Sequence, residues 1–182
     1  MTIIAAAEDN NGYWIASDSH GNTGNTCVEL GGKLINKGKY IVGFSNSYRV
    51  RDVIIECNTF PKTMNSIKSV RKFRDVLKEL MLEDGCLGVG IEGDTVVHPV
   101  SLIIVSPSGL YELDSDYQVH KYECGYAAIG SGSDVALGTL RAMLRYGATA
   151  EQAVHAAVEA SIYHCTTCGG DIHINYFLKN KK

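Results

Sequence analysis

The sequence predicts an α+β protein built as a four-layer αββα sandwich, and three observations carry that expectation. Strand-like and helix-like segments come in blocks: sheet, helix pair, sheet, helix pair, final strand. The strand segments are short apolar runs bounded by turn residues. The helical segments repeat apolar residues at helical spacing along one face. Two such sheets bury their inner faces on each other, and each helix pair covers an outer face. With 182 residues and 45% apolar content, the chain suits one domain over 1–182, since domains typically run ~100–200 residues.

The elements follow in order. Thr2 to Ala7 and Tyr13 to Ser17 are apolar runs separated by EDNNG, with Asn11-Gly12 in the favoured hairpin pairing. After the Gly/Asn-rich stretch SHGNTGNTCVELGG come KLIN and KYIVGFS, two short runs around Lys37-Gly38. From Ser47 to Asn58, Val50, Val53, Ile54 and Cys57 recur at helical spacing; Val70, Phe73, Val76, Leu77, Leu80 and Met81 do the same in a second helix ended by Gly85. SLIIVSPSGLYELD reads as strand, turn, strand, and YAAIG as a further strand. Helices then span Asp134 to Tyr146, with Gly147 at the C-terminal end, and Ala150 to His164 behind the N-cap Thr149. A last strand, DIHINYFL, precedes the basic tail KNKK.

The net charge of −3 and isoelectric point near 6.0 provide no attraction for nucleic acid. No window approaches the roughly 20 apolar residues of a membrane helix, and the first residues lack the basic-then-apolar pattern of a signal peptide. The expectation is a cytoplasmic protein with no membrane partner, whose six cysteines are reduced rather than a disulfide framework.

Several motifs need weighing. GVGIEG (Gly88 to Gly93) matches GxGxxG in form only, because DTVVHP follows where a dinucleotide site requires a helix. HCTTCGGDIH gathers His164, Cys165, Cys168 and His173, but a structural zinc normally draws on two separated knuckles, so the segment reads as small buried thiols and a turn. IGSGSD (Ile129 to Asp134) leaves a strand and enters a helix, which exposes N–H groups and a hydroxyl able to orient a reacting group or simply to make the turn. Thr2 stands directly behind Met1. Removal of that methionine would expose an α-amine of unperturbed pKa about 7.7–8, a base for the neighbouring hydroxyl. Such a nucleophile needs a nearby lysine to favour the uncharged amine, a carboxylate to hold the lysine, and N–H groups for the oxyanion. Asp18 and Lys33 are the first polar residues to consider.

Together these segments resemble the proteasome β-subunit family of N-terminal nucleophile hydrolases, and within it the bacterial HslV-type peptidases. TIIAAAEDNNGYWIASDS resembles their opening: a threonine, an apolar strand, a turn and an Ile-Ala-x-Asp ending. HGNTGNT resembles the Gly-Asn-Thr stretch that follows, and GGKLINKGKYIVGFS the strand pair bearing the catalytic lysine. AAIGSGSDVALGTLRAMLRYGATAEQAVHAAVEAS resembles the Ile-Gly-Ser-Gly loop and its two helices; Asn58 to Pro99 carries no matching motif. The resemblance implies the αββα fold of that hydrolase type, with Thr2 as nucleophile, Asp18 and Lys33 as the charge pair, and Ser131 bonding near the amine. It further implies an acyl ester on Thr2, no metal or other cofactor, peptide or unfolded protein as substrate, a homo-oligomeric ring or spiral, and an ATP-dependent unfoldase as partner.

Three positions depart from the pattern. Asn46 stands at the usual glycine of the oxyanion turn, leaving only its backbone N–H for that role. Ser161 takes the place of an aspartate that supports the threonine, and Ile3 follows Thr2 where a second threonine is usual. A chain that keeps Met1 has an amide where the base should be. Two other readings therefore stay open: a non-catalytic structural subunit of a proteasome-like assembly, and an N-terminal-threonine amidohydrolase acting on a small amide.

Overall fold

The computed structural model describes residues 2–23, 26–29, 31–85, 90–92, 95–97 and 100–179. The chain begins with strands β1 (Ile3–Glu8) and β2 (Gly12–Asp18), joined by the expected hairpin. Asp9 shapes its turn, because the Asp9 Oδ1 accepts from the N–H groups of Asn11 and Gly12, each at 2.7 Å. The Gly/Asn-rich stretch that follows is a two-stranded ribbon, β3 (His20–Thr23) and β4 (Thr26–Glu29). Next come β5 (Leu34–Asn36), β6 (Ile41–Asn46) and the helices α1 (Tyr48–Glu56) and α2 (Ile67–Glu83). Ser47 caps α1, and Ser66 with Ser69 forms a capping box on α2, which sets the helix starts.

Beyond α2 lie the short strands β7 (Gly90–Glu92) and β8 (Thr95–Val97). Part of GVGIEG is therefore in a hairpin with no helix after it; Gly88, Val89 and Gly93 fall outside the described residues. β9 (Val100–Ser106) and β10 (Gly109–Leu113) are the expected strand pair, followed by β11 (Val119–Lys121) and β12 (Tyr126–Gly130). Helices α3 (Ser133–Arg145) and α4 (Ala150–His164) and strand β13 (Ile172–Leu178) complete the chain. Thr149 and Gln152 form the capping box of α4. Met1, Gly24, Asn25, Cys86 and the tail beyond Lys179 lie outside the described residues.

One sheet has the order β12-β1-β2-β13 and the other β11-β10-β9-β6-β5. Strand alternation sorts the side chains into three apolar layers. Along β1, Ile4 and Ala6 point inward with Ile15, Ile41, Ile103 and Val105 to fill the space between the sheets. Ile3, Ala5 and Ala7 point outward against Ala136 and Leu140 of α3 and Ala153, Ala157 and Val158 of α4. On the second sheet, Val42, Phe44, Leu102 and Ile104 pack against Val50 and Ile54 of α1 and Phe73 and Leu77 of α2. The result is the predicted αββα order. Gly43 lets the sheets close, since a Cβ there would lie 2.7 Å from Ile4 Cγ2.

Candidate active site

An antiparallel hairpin returns the chain to its start, so the end of β2 lies beside the beginning of β1. Asp18 is the last residue of β2, and its Oδ1 accepts from the Ile3 N–H at 3.1 Å. The same oxygen accepts from Lys33 Nζ at 2.6 Å. Lys33 immediately precedes β5, and its carbonyl accepts from the Phe44 N–H of β6 at 3.1 Å. Its ammonium also donates to the His20 carbonyl at 2.6 Å. Because β13 pairs with β2 starting at Ile172 opposite Asp18, the connection from α4 passes the carboxylate. There the Gly169 N–H donates to Asp18 Oδ2 at 3.1 Å.

Both members of this pair are fully buried, with relative exposures of 0%, and Thr2 is 5% exposed. A buried ion pair survives only when additional hydrogen bonds satisfy its remaining atoms, and here three N–H donors surround the carboxylate. Burial pulls the Lys33 ammonium down from its ordinary value near 10.5, while the hydrogen bond to Asp18 and its charge oppose that pull.

The Gly-Ser-Gly loop holds the Thr2 peptide from its other side. The Thr2 carbonyl accepts long contacts from Ser131 Oγ at 3.4 Å and the Gly132 N–H at 3.5 Å. This works because β12 pairs with β1, with Ile3 opposite Gly130. Gly130 has φ 97, and a Cβ on it would sit 2.1 Å from the Thr2 oxygen. Gly130→Ala combines strain costing roughly 1–3 kcal/mol with a backbone clash at the site. It is expected to lower the unfolding free energy measured in urea by about 2 kcal/mol or more and to displace Thr2; wild-type stability would refute the requirement.

Asn46 ends β6 and adopts φ 79. Asparagine is among the few L residues that enter this left-handed region readily, so the backbone turn is compatible with its replacing glycine. Its place is set by Lys33, whose carbonyl meets β6 two residues earlier at Phe44. Tyr48 opens α1 with its ring edge-on to Phe44 at 5.2 Å. Its buried hydroxyl has no hydrogen-bond partner among the described residues, and burial together with the Asp18 charge pushes its pKa up.

The structure thus gathers Thr2, Asp18, Lys33 and Ser131 around the first peptide of β1. Ser161 belongs to the scaffold: its hydroxyl donates to the carbonyls of Gly132 at 3.0 Å and Ala157 at 2.8 Å. The hydroxyl has one proton, which these two carbonyls share. The groups adjoining Ser131 are instead Thr167, with its Oγ1 at 2.8 Å, and Cys168, with its Sγ at 3.8 Å. Both lie in the CTTCGG segment, which the sequence marks for its thiols and not for its hydroxyl. Among the described residues no three His, Cys, Asp or Glu side chains gather as a metal cluster, and no helix is long and apolar enough to cross a membrane.

No protein-family model and no curated protein matches the sequence. Solved structures do match. BPH of Thiobacillus denitrificans is 19% identical, with a TM-score of 0.86 over 99% of this chain and 100% of that one. The same protein in complex with epoxomicin is 18% identical, with a TM-score of 0.83 over 98% and 100% of the two chains. Eukaryotic HslV from Trypanosoma brucei is 18% identical, with a TM-score of 0.69 over 97% and 99%. The chain therefore has the HslV-type fold that its motifs resemble.

Proposed function

We propose that this protein is a threonine-type endopeptidase whose nucleophile is Thr2, exposed by removal of Met1. The observation that carries the reading is the buried Lys33–Asp18 pair, 2.6 Å apart, whose carboxylate also holds the peptide nitrogen next to Thr2. A surface pair at this position would have no such effect on an amine, because water would screen it. Buried, the lysine's positive charge disfavours a second ammonium nearby and keeps the Thr2 α-amine neutral.

The amine then takes the proton of the Thr2 hydroxyl as the oxygen attacks the peptide carbonyl. The backbone N–H at Asn46 is the donor assigned to the resulting oxyanion. Collapse of the tetrahedral intermediate breaks the C–N bond, and the departing amine receives the proton held by the α-amine. This leaves an acyl ester on Thr2, which water, activated by the same amine, hydrolyses. Ser131 anchors the Thr2 carbonyl and so orients the amine beside it. No cofactor enters these steps.

The fold shared with HslV supports a wider reading: a cytoplasmic, homo-oligomeric ring or pair of stacked rings, acting on peptides or unfolded protein delivered by an ATP-dependent unfoldase. Intact-mass measurement of the folded protein is expected to show loss of one methionine. Epoxomicin, which the Thiobacillus denitrificans protein binds, is expected to block peptide hydrolysis by the processed chain. Retention of Met1 on folded, assembled protein would overturn the peptidase reading and favour the non-catalytic subunit. Hydrolysis of small amides without any cleavage of peptides would point to the amidohydrolase.

A further inference from the structure

We propose that Cys165 and Cys168 form a redox-modification site, a dithiol that small-molecule disulfides convert to an intramolecular disulfide, and that this change resets the loop holding Ser131 and Asp18. Its effect on catalysis rests on the threonine-peptidase reading; formation of the disulfide does not.

Both thiols are free. Cys165 caps the C-terminal end of α4, and the Cys168 N–H donates to the Cys165 carbonyl at 3.0 Å, which closes a four-residue turn. Such a turn brings its first and fourth Cα atoms within about 7 Å. A disulfide spans Cα separations of roughly 4.4–6.8 Å, so the turn carries its two sulfurs on a backbone already near bridging distance. Burial pushes the Cys168 thiol above its ordinary value, and the charges of Asp18 and Cys165 push the same way. The accessibility of the two thiols differs in a useful way: Cys165 is half-buried at the helix end, whereas Cys168 is 7% exposed.

The chemistry follows from that difference. The Cys165 thiolate attacks one sulfur of a disulfide such as oxidised glutathione, forming a mixed disulfide and releasing one glutathione thiolate. Cys168 then gives its proton to solvent and attacks the Cys165 sulfur, which breaks the mixed disulfide and releases the second glutathione. Two protein thiols are oxidised to one disulfide, and one glutathione disulfide is reduced to two thiols.

The turn is wired to the site at three points. Cys168 Sγ lies 3.8 Å from Ser131 Oγ, Thr167 Oγ1 lies 2.8 Å from the same oxygen, and the next residue, Gly169, donates its N–H to Asp18. Bonding Cys168 to Cys165 draws its sulfur from Ser131 and tightens the turn around Thr167. Ser131 then loses neighbours that hold it against the Thr2 carbonyl, and Asp18 loses the alignment of its Gly169 donor.

The test treats the full chain with oxidised glutathione and maps the unreduced peptides by mass spectrometry. The expected result is a Cys165–Cys168 link, with peptide hydrolysis falling by roughly tenfold or more, within the ~10²-fold that a 1 Å misplacement costs. A dithiol reductant restores the rate. Cys165→Ser is expected to hydrolyse peptide when reduced and to keep its rate under the oxidant. Absence of the link, a link with unchanged hydrolysis, or equal inhibition of Cys165→Ser overturns the proposal. If the reduced protein cleaves no peptide, the peptidase reading has failed on its own. The proposal is then decided by hydrogen exchange at the Gly169 amide, which should quicken on oxidation; an unchanged rate sinks it.

Discussion

Asp18→Ala is expected to destabilise the fold by about 3–5 kcal/mol and to lower peptide hydrolysis by about 10²–10⁴-fold. The first figure arises because removing the carboxylate deprives Lys33 of its counter-charge inside the protein, where its side chain is 0% exposed. Two backbone donors, the N–H groups of Ile3 and Gly169, lose their acceptor in the same step. The second figure follows from the proposed role of Lys33, whose charge Asp18 holds while the same carboxylate oxygen accepts from the Ile3 N–H next to Thr2. Urea unfolding and peptide hydrolysis, measured on the same preparation, separate the two effects. The paired replacement Asp18→Asn with Lys33→Met is the decisive companion: it removes both charges and keeps similar volumes. Its stability is expected to return to within about 1 kcal/mol of wild type, since apolar or neutral replacements of buried pairs are often neutral, while hydrolysis stays lost. Recovery of hydrolysis in that variant would show that the pair serves only the fold.

The fold was legible where one physical signal dominated. In IIAAA every residue of β1 that alternates inward or outward meets an apolar layer, so the run is apolar throughout. Thr149 announces α4 because an N-cap needs a side-chain acceptor at that spot. The ribbon of β3 and β4 gave no such signal, since HGNT and TCVE carry neither alternation nor a long apolar run.

The site was legible to the same degree. Hairpin geometry returns Asp18 to the start of β1, whereas Lys33 stands beside the other sheet and is named with Asp18 through the resemblance. The Gly169 donor stands 151 residues from Asp18 and acts through its backbone, which has no side-chain signature. Ser161 was assigned by its place in the sequence alone. Its hydroxyl bonds back to the Ala157 carbonyl one turn earlier on α4, whereas the residues beside Ser131 lie past the end of that helix, where helical spacing gives no direction.

Thr2→Ala is expected to reduce peptide hydrolysis on the order of 10⁶-fold, the size that loss of a catalytic hydroxyl nucleophile produces. The fold should be unaffected, because the substitution removes little volume from the start of β1 and leaves the Ile3 N–H and the residue 2 carbonyl in their hydrogen bonds. Alanine is also small, so loss of Met1 should proceed as for threonine and the α-amine remains. The variant thus isolates the hydroxyl. Thr2→Ser keeps both groups and should retain measurable hydrolysis. The pH profile examines the amine separately. Activity of the processed chain should rise as the α-amine deprotonates, at or below its unperturbed range of about 7.7–8.0, since the Lys33 charge favours the neutral form. It should fall again as Lys33 loses its proton, and burial places that limb below the ordinary lysine value of 10.5. A chain with Met1 deliberately retained has an amide at the Thr2 nitrogen in place of the basic amine and is expected to show no hydrolysis at any pH. Wild-type rates in Thr2→Ala, or full activity in the Met1-retaining chain, would place the nucleophile elsewhere.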